Sequence, residues 1–238
     1  MERIPYGPDP SQFGELTRAA ANGGGPRVAV LIHGGFWRDR YDRTLMHRIG
    51  NDLVAAGWTT WNLEYRRLGS GGGFPATLED VAAGIDALTD VDGLDLGGRV
   101  VAIGHSAGGQ LAAWAATRER PRVPVTGVVA QAGVLDLALG HELGLSDGVV
   151  AQLMVGAPDE RPEAYAAASP RARLPLGVPA LVVTGGADDV VPPRISREFA
   201  AAARAAGDDI VLHEEPGEEH MGHVEPDNPL WLAVRAWL

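Results

Sequence analysis

Hydrophobic residues along the chain fall into short continuous runs that are separated by longer segments with helical spacing. Runs of this kind are typical of strands whose two faces are both covered. The runs predicted as strands are residues 28–32, 59–63, 100–103, 125–130, 180–184 and 210–213. The segments predicted as helices are residues 44–56, 78–88, 107–117, 194–206 and 229–238. This alternation predicts an α/β protein with a mainly parallel sheet and helices on both sides.

Two Gly-rich segments and one long irregular stretch interrupt the alternation. We interpret residues 22–26 and "LGSGGGFP" at residues 68–75 as loops, because neither joins a strand to a helix with the spacing of a phosphate-binding motif. Residues 136–174 lack a clear strand, and short helices over the sheet edge are predicted there, one of them within "ERPEAYAAASP". No segment has the composition of a linker, so we expect residues 1–238 to form a single domain.

The composition excludes several kinds of chemistry and several partners. The chain has no cysteine, and all 20 of its basic residues are arginine, so thiolate catalysis and lysine Schiff bases are excluded. The formal net charge of −11 argues against nucleic acid or an anionic membrane surface as a partner. The N-terminal residues do not have the pattern of a secretory signal, and no apolar run approaches the ~20 residues of a membrane span. We therefore expect a cytoplasmic protein.

A candidate nucleophile follows the predicted strand at residues 100–103. The sequence "GHSAGG" at residues 104–109 contains G-x-S-x-G and leads directly into a predicted helix. In this strand–turn–helix context the two glycines allow a sharp turn that exposes the serine, and the helix N-terminus beneath it favours negative charge. We therefore predict that Ser106 is a catalytic nucleophile, in preference to a serine that merely caps the helix.

Segments along nearly the whole chain carry a family resemblance. They are "YGPDP" at residues 6–10, "HGGFW" at 33–37, "GHSAGG" at 104–109, "GADDVVPP" at 186–193 and "GEEHMGHVEPDNPLW" at 217–231. With these segments the chain resembles α/β-hydrolases, and within them the kynurenine formamidase (arylformamidase) and small-carboxylesterase branch. The resemblance implies an α/β-hydrolase fold with a small or absent cap, and a Ser-His-Asp triad.

A serine hydroxyl needs a base to remove its proton, and the base needs a carboxylate to orient it. In this fold the acid follows the serine along the chain and the histidine comes last. Asp188 and Asp189 both follow the predicted strand at residues 180–184, and the family pattern Gly-x-x-Asp-x-x-Val-Pro favours Asp188. His220 and His223 both follow the predicted last strand, and the family pattern favours His220. His213, within that strand, is expected to be structural.

The loop "HGGFW" is the candidate oxyanion hole. Acyl transfer passes through a tetrahedral intermediate whose oxyanion is stabilised by preorganised N–H donors, one of which is the amide after the nucleophile, here Ala107. The resemblance implies that Gly35 and Phe36 supply the other donors. It also implies that His33 braces the loop, and that Phe36 and Trp37 line the substrate pocket.

These features predict a serine hydrolase that cleaves a small ester or amide through an acyl-enzyme. The resemblance makes N-formylkynurenine the leading substrate, with short-chain or aryl esters close behind. A non-catalytic binding protein with a hydrolase fold and a peptidase are the alternatives. No H-E-x-x-H or comparable ligand pair appears, so we expect neither a catalytic metal nor another cofactor. A homodimer is consistent with the family.

Overall fold

A computed structural model describes residues 1–20 and 25–238 of the protein. Within these residues, eight strands form one sheet in the order β1-β2-β4-β3-β5-β6-β7-β8. The strands are β1 (Glu2–Pro5), β2 (Phe13–Thr17), β3 (Arg27–Ile32), β4 (Thr59–Leu63), β5 (Arg99–His105), β6 (Gly127–Gln131), β7 (Ala180–Gly185) and β8 (Ile210–Glu215). Strand β2 is antiparallel to β1 and to β4, and the pairs from β4 through β8 are parallel.

The helices of the described residues lie between the strands. They are α1 (His47–Ala55), α2 (Ala76–Asp86), α3 (Ala107–Ala116), α4 (Leu137–Glu142), α5 (Leu145–Met154), α6 (Pro162–Ala168), α7 (Pro193–Ala205) and α8 (Pro229–Trp237). Short 3-10 turns occupy Arg43–Met46, Ala87–Asp90, Pro170–Arg173 and His220–Val224. No helix of the described ranges is both long enough and apolar enough to cross a bilayer.

The continuous apolar character of the strands follows from burial on both faces of the sheet. In β3, Val30 and Ile32 belong to one hydrophobic cluster, whereas Ala29 and Leu31 belong to another. The first cluster includes side chains of α2, α3 and α7, and the second includes side chains of α1 and α8. Successive strand residues point to opposite faces, so a strand between two helical layers has no position for an exposed polar residue.

The structure confirms the predicted alternation of strands and helices. Each predicted strand ends within two residues of an observed one, and β4 has the predicted bounds. The predicted helix at residues 44–56 begins with the 3-10 turn Arg43–Met46 and continues as α1. Residues 68–75 form turns and loop, and residues 136–174 hold the short helices α4 to α6, as predicted. In the Gly-rich turn predicted at residues 22–26, residues 22–24 lie outside the described residues.

Strands β1 and β2 were not predicted. The short strand β1 lies at the sheet edge with mostly exposed side chains, and β2 carries a buried glutamate, Glu15, so neither has the apolar run used to recognise a strand. Their position depends instead on pairing with β4 and on a contact from the loop between them, in which Gln12 donates to the buried Asp80 carboxylate on α2 over 2.7 Å. Tertiary contacts therefore create these two strands.

The parallel register brings the loops after several strands to one edge of the sheet. Ile32 at the end of β3 pairs with Gly104 of β5, and His105 at the end of β5 pairs with Gln131 of β6. Loops that follow the carboxyl ends of parallel strands are where open α/β sheets hold ligands. The segments "HGGFW" and "GHSAGG" consequently lie side by side.

Candidate active site

Ser106 occupies a sharp, strained turn between β5 and α3. Its backbone angles are φ 57° and ψ −120°, a conformation that a residue with a side chain rarely adopts. The glycines two residues away make this turn sterically feasible. A Cβ on Gly104 would lie 1.9 Å from the carbonyl oxygen of Gly108, and a Cβ on Gly108 would lie 1.9 Å from that of Ile32. The G-x-S-x-G spacing is therefore required by the close approach of three backbone segments.

Asp188 and His220 form a buried hydrogen-bonded pair. Asp188 follows β7, and its Oδ2 lies 2.7 Å from Nδ1 of His220, which begins the 3-10 turn after β8. The other carboxylate oxygen of Asp188 accepts from the amides of Val190 and Val191 at 2.9 and 2.8 Å, which fixes the carboxylate. Asp189, by contrast, is exposed. The contact uses Nδ1 of His220, so Nε2 is the nitrogen left to accept a proton.

Ser106 and His220 line the same cavity, which has a volume of about 190 Å³. The other lining residues are Gly35, Phe36, Tyr41, Leu45, His105, Val190 and Met221. Neither an acidic residue nor an arginine is among them, so in the described structure the wall of the cavity is largely apolar. A larger, more open cavity of about 520 Å³, beside Phe74 and residues 160–164, contains none of the predicted site residues.

The loop at residues 33–37 presses directly on the serine turn. A Cβ on Gly34 would lie 2.6 Å from the carbonyl oxygen of His105 and 2.9 Å from Cβ of Ser106. Gly35 and Phe36 have φ angles of 109° and 52°, so the backbone here is left-handed. Within residues 1–20 and 25–238, the amides of Gly35 and Phe36 donate to no other protein atom, and neither does that of Ala107. The three amides predicted to bind an oxyanion are therefore free to do so.

The structure corrects the predicted position of Trp37. Its side chain is fully buried in the core, its indole N–H donates to Oε1 of Gln110 over 3.1 Å, and it does not line the cavity. The backbone of Trp37 is left-handed, with φ 53°, and its side chain points into the core. Phe36 does line the cavity, together with four residues that sequence reasoning missed, namely Tyr41, Leu45, Val190 and Met221.

Comparison with known proteins gives one match to a family model. The model of the prolyl oligopeptidase family matches residues 64–236, a stretch that contains Ser106, Asp188 and His220. This chain belongs to the prolyl oligopeptidase family. The loop at residues 33–37 lies outside the matched stretch of this family member. No curated protein matches the chain.

Several solved structures are similar to this prolyl oligopeptidase family member. One is a bifunctional GH43-CE protein of Bacteroides eggerthii, with a TM-score of 0.83 and 23% identity over 100% of this chain and 37% of that one. A truncated carbohydrate esterase from gut microbiota has a TM-score of 0.82 and 20% identity over 99% and 93% of the two chains. Butyrate-bound esterase 2 of Thermogutta terrifontis has a TM-score of 0.76 and 21% identity over 99% and 91%. These similarities confirm the predicted α/β-hydrolase fold.

Two further histidines, His105 and His223, cluster with His220 in this family member. His105 lies beside His220 with 4.6 Å between ring centroids, and its Nε2 donates to the carbonyl oxygen of His220 over 3.0 Å. His223 is fully buried, its ring nitrogens have no partner among the described residues, and its carbonyl oxygen accepts from Gln131 over 2.8 Å. Burial and the neighbouring His220 lower the pKa of His223 to about 3, and the same causes hold the pKa of His105 well below its usual value. Both rings are therefore neutral near pH 7.

Gln131 is a residue that sequence reasoning missed, and a signal for it exists. It is a polar residue at the carboxyl end of a buried strand, it is itself fully buried, and its side chain holds the turn that carries His220. Glu64 follows β4 in the same way and is buried beside His33. A polar residue directly at the end of an apolar run thus indicates a contact with the site.

Gly104→Ala is expected to destabilise the fold because the added methyl group would overlap the carbonyl of Gly108. The free energy of unfolding, measured by urea denaturation, should fall by about 2–4 kcal/mol. Gly217→Ala is the matched control, since a Cβ there meets no atom within 4 Å. Equal stability of the two variants would contradict the close backbone contact.

His223 is expected to make the fold sensitive to acid. The unfolded histidine binds a proton near pH 6.5, whereas the folded one stays neutral to a pKa of about 3, so lowering the pH through this window favours unfolding. Between pH 6.5 and about pH 5 the free energy of unfolding should fall, and His223 should account for about 2 kcal/mol of that decrease. Replacing it with leucine should remove that part of the slope, and His213→Gln, at a half-exposed position, should keep it. An unchanged slope in His223→Leu would refute the assignment.

Proposed function

We propose that the protein is a serine hydrolase that cleaves small, uncharged carboxylic esters. The observation that carries the proposal is that Ser106, on its strained turn, shares one cavity with His220, whose Nδ1 is held by Asp188. A nucleophile, a base and an orienting acid in this relation are the parts that acyl transfer requires. The similar structures of esterases support the same chemistry.

In the proposed reaction, Ser106 Oγ attacks the ester carbonyl carbon while Nε2 of His220 takes the hydroxyl proton. The carbonyl oxygen becomes an oxyanion and accepts hydrogen bonds from the amides of Gly35, Phe36 and Ala107. The bond to the leaving alkoxide breaks, and His220 gives its proton to that oxygen. Water then attacks the acyl-serine, with His220 again as base. The bond between the acyl carbon and Ser106 Oγ breaks, His220 returns the proton to Oγ, and the acid is released. Asp188 stabilises the imidazolium that forms twice in the cycle.

The cavity supports a short and uncharged acyl group. Its volume of about 190 Å³ lies below the usual range of roughly 300–1,000 Å³ for small-molecule sites, and Phe36, Leu45 and Met221 give it an apolar wall. Burying a charged group against such a wall without a partner would cost several kcal/mol. An acetyl or butyryl ester meets these conditions.

A specific observation favours arylformamidase activity as a second candidate. A formyl group is the smallest acyl group, so the small cavity suits it, and "HGGFW" at residues 33–37 resembles the corresponding segment of kynurenine formamidases. N-formylkynurenine, however, carries an ammonium and a carboxylate group, and no arginine or acidic residue of the described structure lines the cavity. We therefore rank the ester first. Membership of the prolyl oligopeptidase family makes a peptide bond the third substrate to test.

We also propose that residues 1–238 act as one domain, because a single sheet takes strands from Glu2–Pro5 to Ile210–Glu215. A cytoplasmic location and a homodimer stay predictions.

Substitutions should distinguish the three proposed catalytic residues, Ser106, Asp188 and His220, from the neighbouring Asp189 and His223. Ser106→Ala is expected to lower kcat/KM for p-nitrophenyl acetate by at least roughly a thousandfold, because among the described residues that line the cavity no other serine, and no threonine or cysteine, could replace it. Asp188→Asn and His220→Ala should each cause a loss of about a hundredfold or more. Asp189→Asn and His223→Leu are the matched controls and should retain most of the activity. Loss of activity in a control, with its partner active, would reassign the acid or the base.

A comparison of substrates tests the proposed specificity. We expect kcat/KM to be higher for p-nitrophenyl acetate than for N-formylkynurenine or for Gly-Pro-p-nitroanilide, because only the acetate is uncharged. Preferred hydrolysis of N-formylkynurenine would establish the arylformamidase candidate instead. A folded protein that hydrolyses none of them and that a fluorophosphonate probe does not label would be a binding protein.

A further inference from the structure

His33 contacts two hydrogen-bond acceptors with its two ring nitrogens. Nδ1 lies 2.7 Å from the carbonyl oxygen of Gly34, and Nε2 lies 3.0 Å from Oε1 of Glu64. The ring is fully buried and stacks on Tyr65, with 4.4 Å between the ring centroids. A carbonyl oxygen only accepts, so the first contact needs a proton on Nδ1. The second contact needs a proton on Nε2 if Glu64 is ionised.

The surroundings of Glu64 indicate that it is ionised. Arg67 lies 2.7 Å from Oε1, the amide of Tyr65 donates to the same oxygen over 3.2 Å, and the amide of Arg43 donates to Oε2 over 3.2 Å. Burial alone would raise the pKa of this carboxyl group, but its hydrogen bonds to His33 and to the amide of Arg43, with the charge of Arg67, hold the pKa below its usual value. A protonated Glu64 would have to direct its hydrogen toward one of these donors. The carboxylate form satisfies all of them.

We propose that His33 is an imidazolium cation in the resting protein and that it strengthens the oxyanion hole through the Gly34–Gly35 peptide group. The carbonyl of Gly34 and the amide of Gly35 belong to the same peptide unit. A charged donor on the carbonyl oxygen polarises this unit and makes the amide hydrogen more positive. That amide is one of the proposed oxyanion donors, and it has no other partner in the described residues. The inference thus rests on the proposed function and assigns His33 as a positioning residue.

The other charged or titratable groups around His33 include both signs of charge. Arg67 and Arg43 both contact Glu64 and are positive, at 2.7 and 3.6 Å from its oxygens. Asp42 caps the 3-10 turn that precedes α1, and its negative charge interacts favourably with a cation at His33. His105, on β5, faces the Gly34 side and is neutral, because burial and its histidine neighbours lower its pKa. Glu64 is therefore the acid in direct contact with the His33 ring.

The charge can be measured in the wild-type protein without any activity assay. Long-range proton–nitrogen NMR spectra separate the imidazolium, with two protonated nitrogens, from either neutral tautomer, with one. We expect both ring nitrogens of His33 to show the protonated shift at pH 7.5, and His33→Gln identifies the signals. One unprotonated ring nitrogen at that pH would overturn the inference, whether or not the protein hydrolyses esters.

The kinetic consequence is tested with Glu64→Gln. The amide is nearly isosteric with the carboxylate and keeps an oxygen acceptor, but it removes the negative charge that stabilises the imidazolium. We expect the NMR signals of His33 to become those of a neutral ring, and kcat for p-nitrophenyl acetate to fall about tenfold with KM little changed, because a weakened oxyanion donor acts on the transition state. If His33 only braces the loop, a Glu64→Gln protein that folds should keep the wild-type kcat.

Glu15→Gln is the matched control for this experiment. Glu15 is also buried and binds Arg43 over 2.7 Å and His47 over 2.7 Å, but it does not contact His33. We expect a cationic His33 and nearly wild-type kcat in this variant. A tenfold loss of kcat in both variants, or in neither, would overturn the proposed role of the charge. If the wild type hydrolyses no ester, the proposed function fails, and the NMR spectrum still decides the charge of His33.

Discussion

The site depends on the contact of three backbone segments that leave no room for a side-chain carbon. Strand β5, the first turn of α3 and the loop after β3 meet at Gly104, Gly108 and Gly34, where a Cβ would lie 1.9 to 2.6 Å from a carbonyl oxygen. The backbone of Ser106 is held in the same contact, because its amide donates to the carbonyl of Gln131 over 2.7 Å. The rigid sheet stabilises the strained angles of the serine, since relaxing the turn would separate strand from helix. The Ser106 turn and the loop at residues 33–37 consequently keep a fixed distance.

Most of the sheet could be predicted from the sequence because its parallel strands are covered on both faces. Burial on both faces requires apolar residues at consecutive positions, and that requirement is visible in residues 59–63 and 180–184. The edge strand β1 and its neighbour β2 face different constraints, with exposed residues at Glu2 and Arg3 and a buried carboxylate at Glu15. Glu15 is satisfied by Arg43 and His47, which lie about 30 residues farther along the chain. Such partners become evident only once the chain is folded.

In the candidate site, too, some residues could be predicted from a local motif, whereas others are brought together only by tertiary packing. Ser106 and Gly108 are set by a turn of a few residues, so the spacing alone indicates them. The wall of the cavity is assembled from Tyr41 and Leu45 before α1 and Val190 and Met221 after β7 and β8, and no local pattern connects these positions. The aromatic pair at residues 36–37 shows the limit clearly, because adjacent residues with similar φ angles direct their side chains into different environments, one the cavity and the other the core.

The buried charges beside the proposed oxyanion loop are difficult to explain by stability alone. Glu64, Arg67 and His33 are all below one tenth exposed, and ionised groups lose several kcal/mol of hydration when they are buried, which their mutual attraction often fails to recover. Apolar residues of similar volume would fill the same space without that cost. The charges are not scattered, since they lie at the carboxyl ends of β3 and β4, directly behind Gly34. A cost in stability directly behind the proposed oxyanion donors is the pattern expected where a charge serves the reaction as well as the fold.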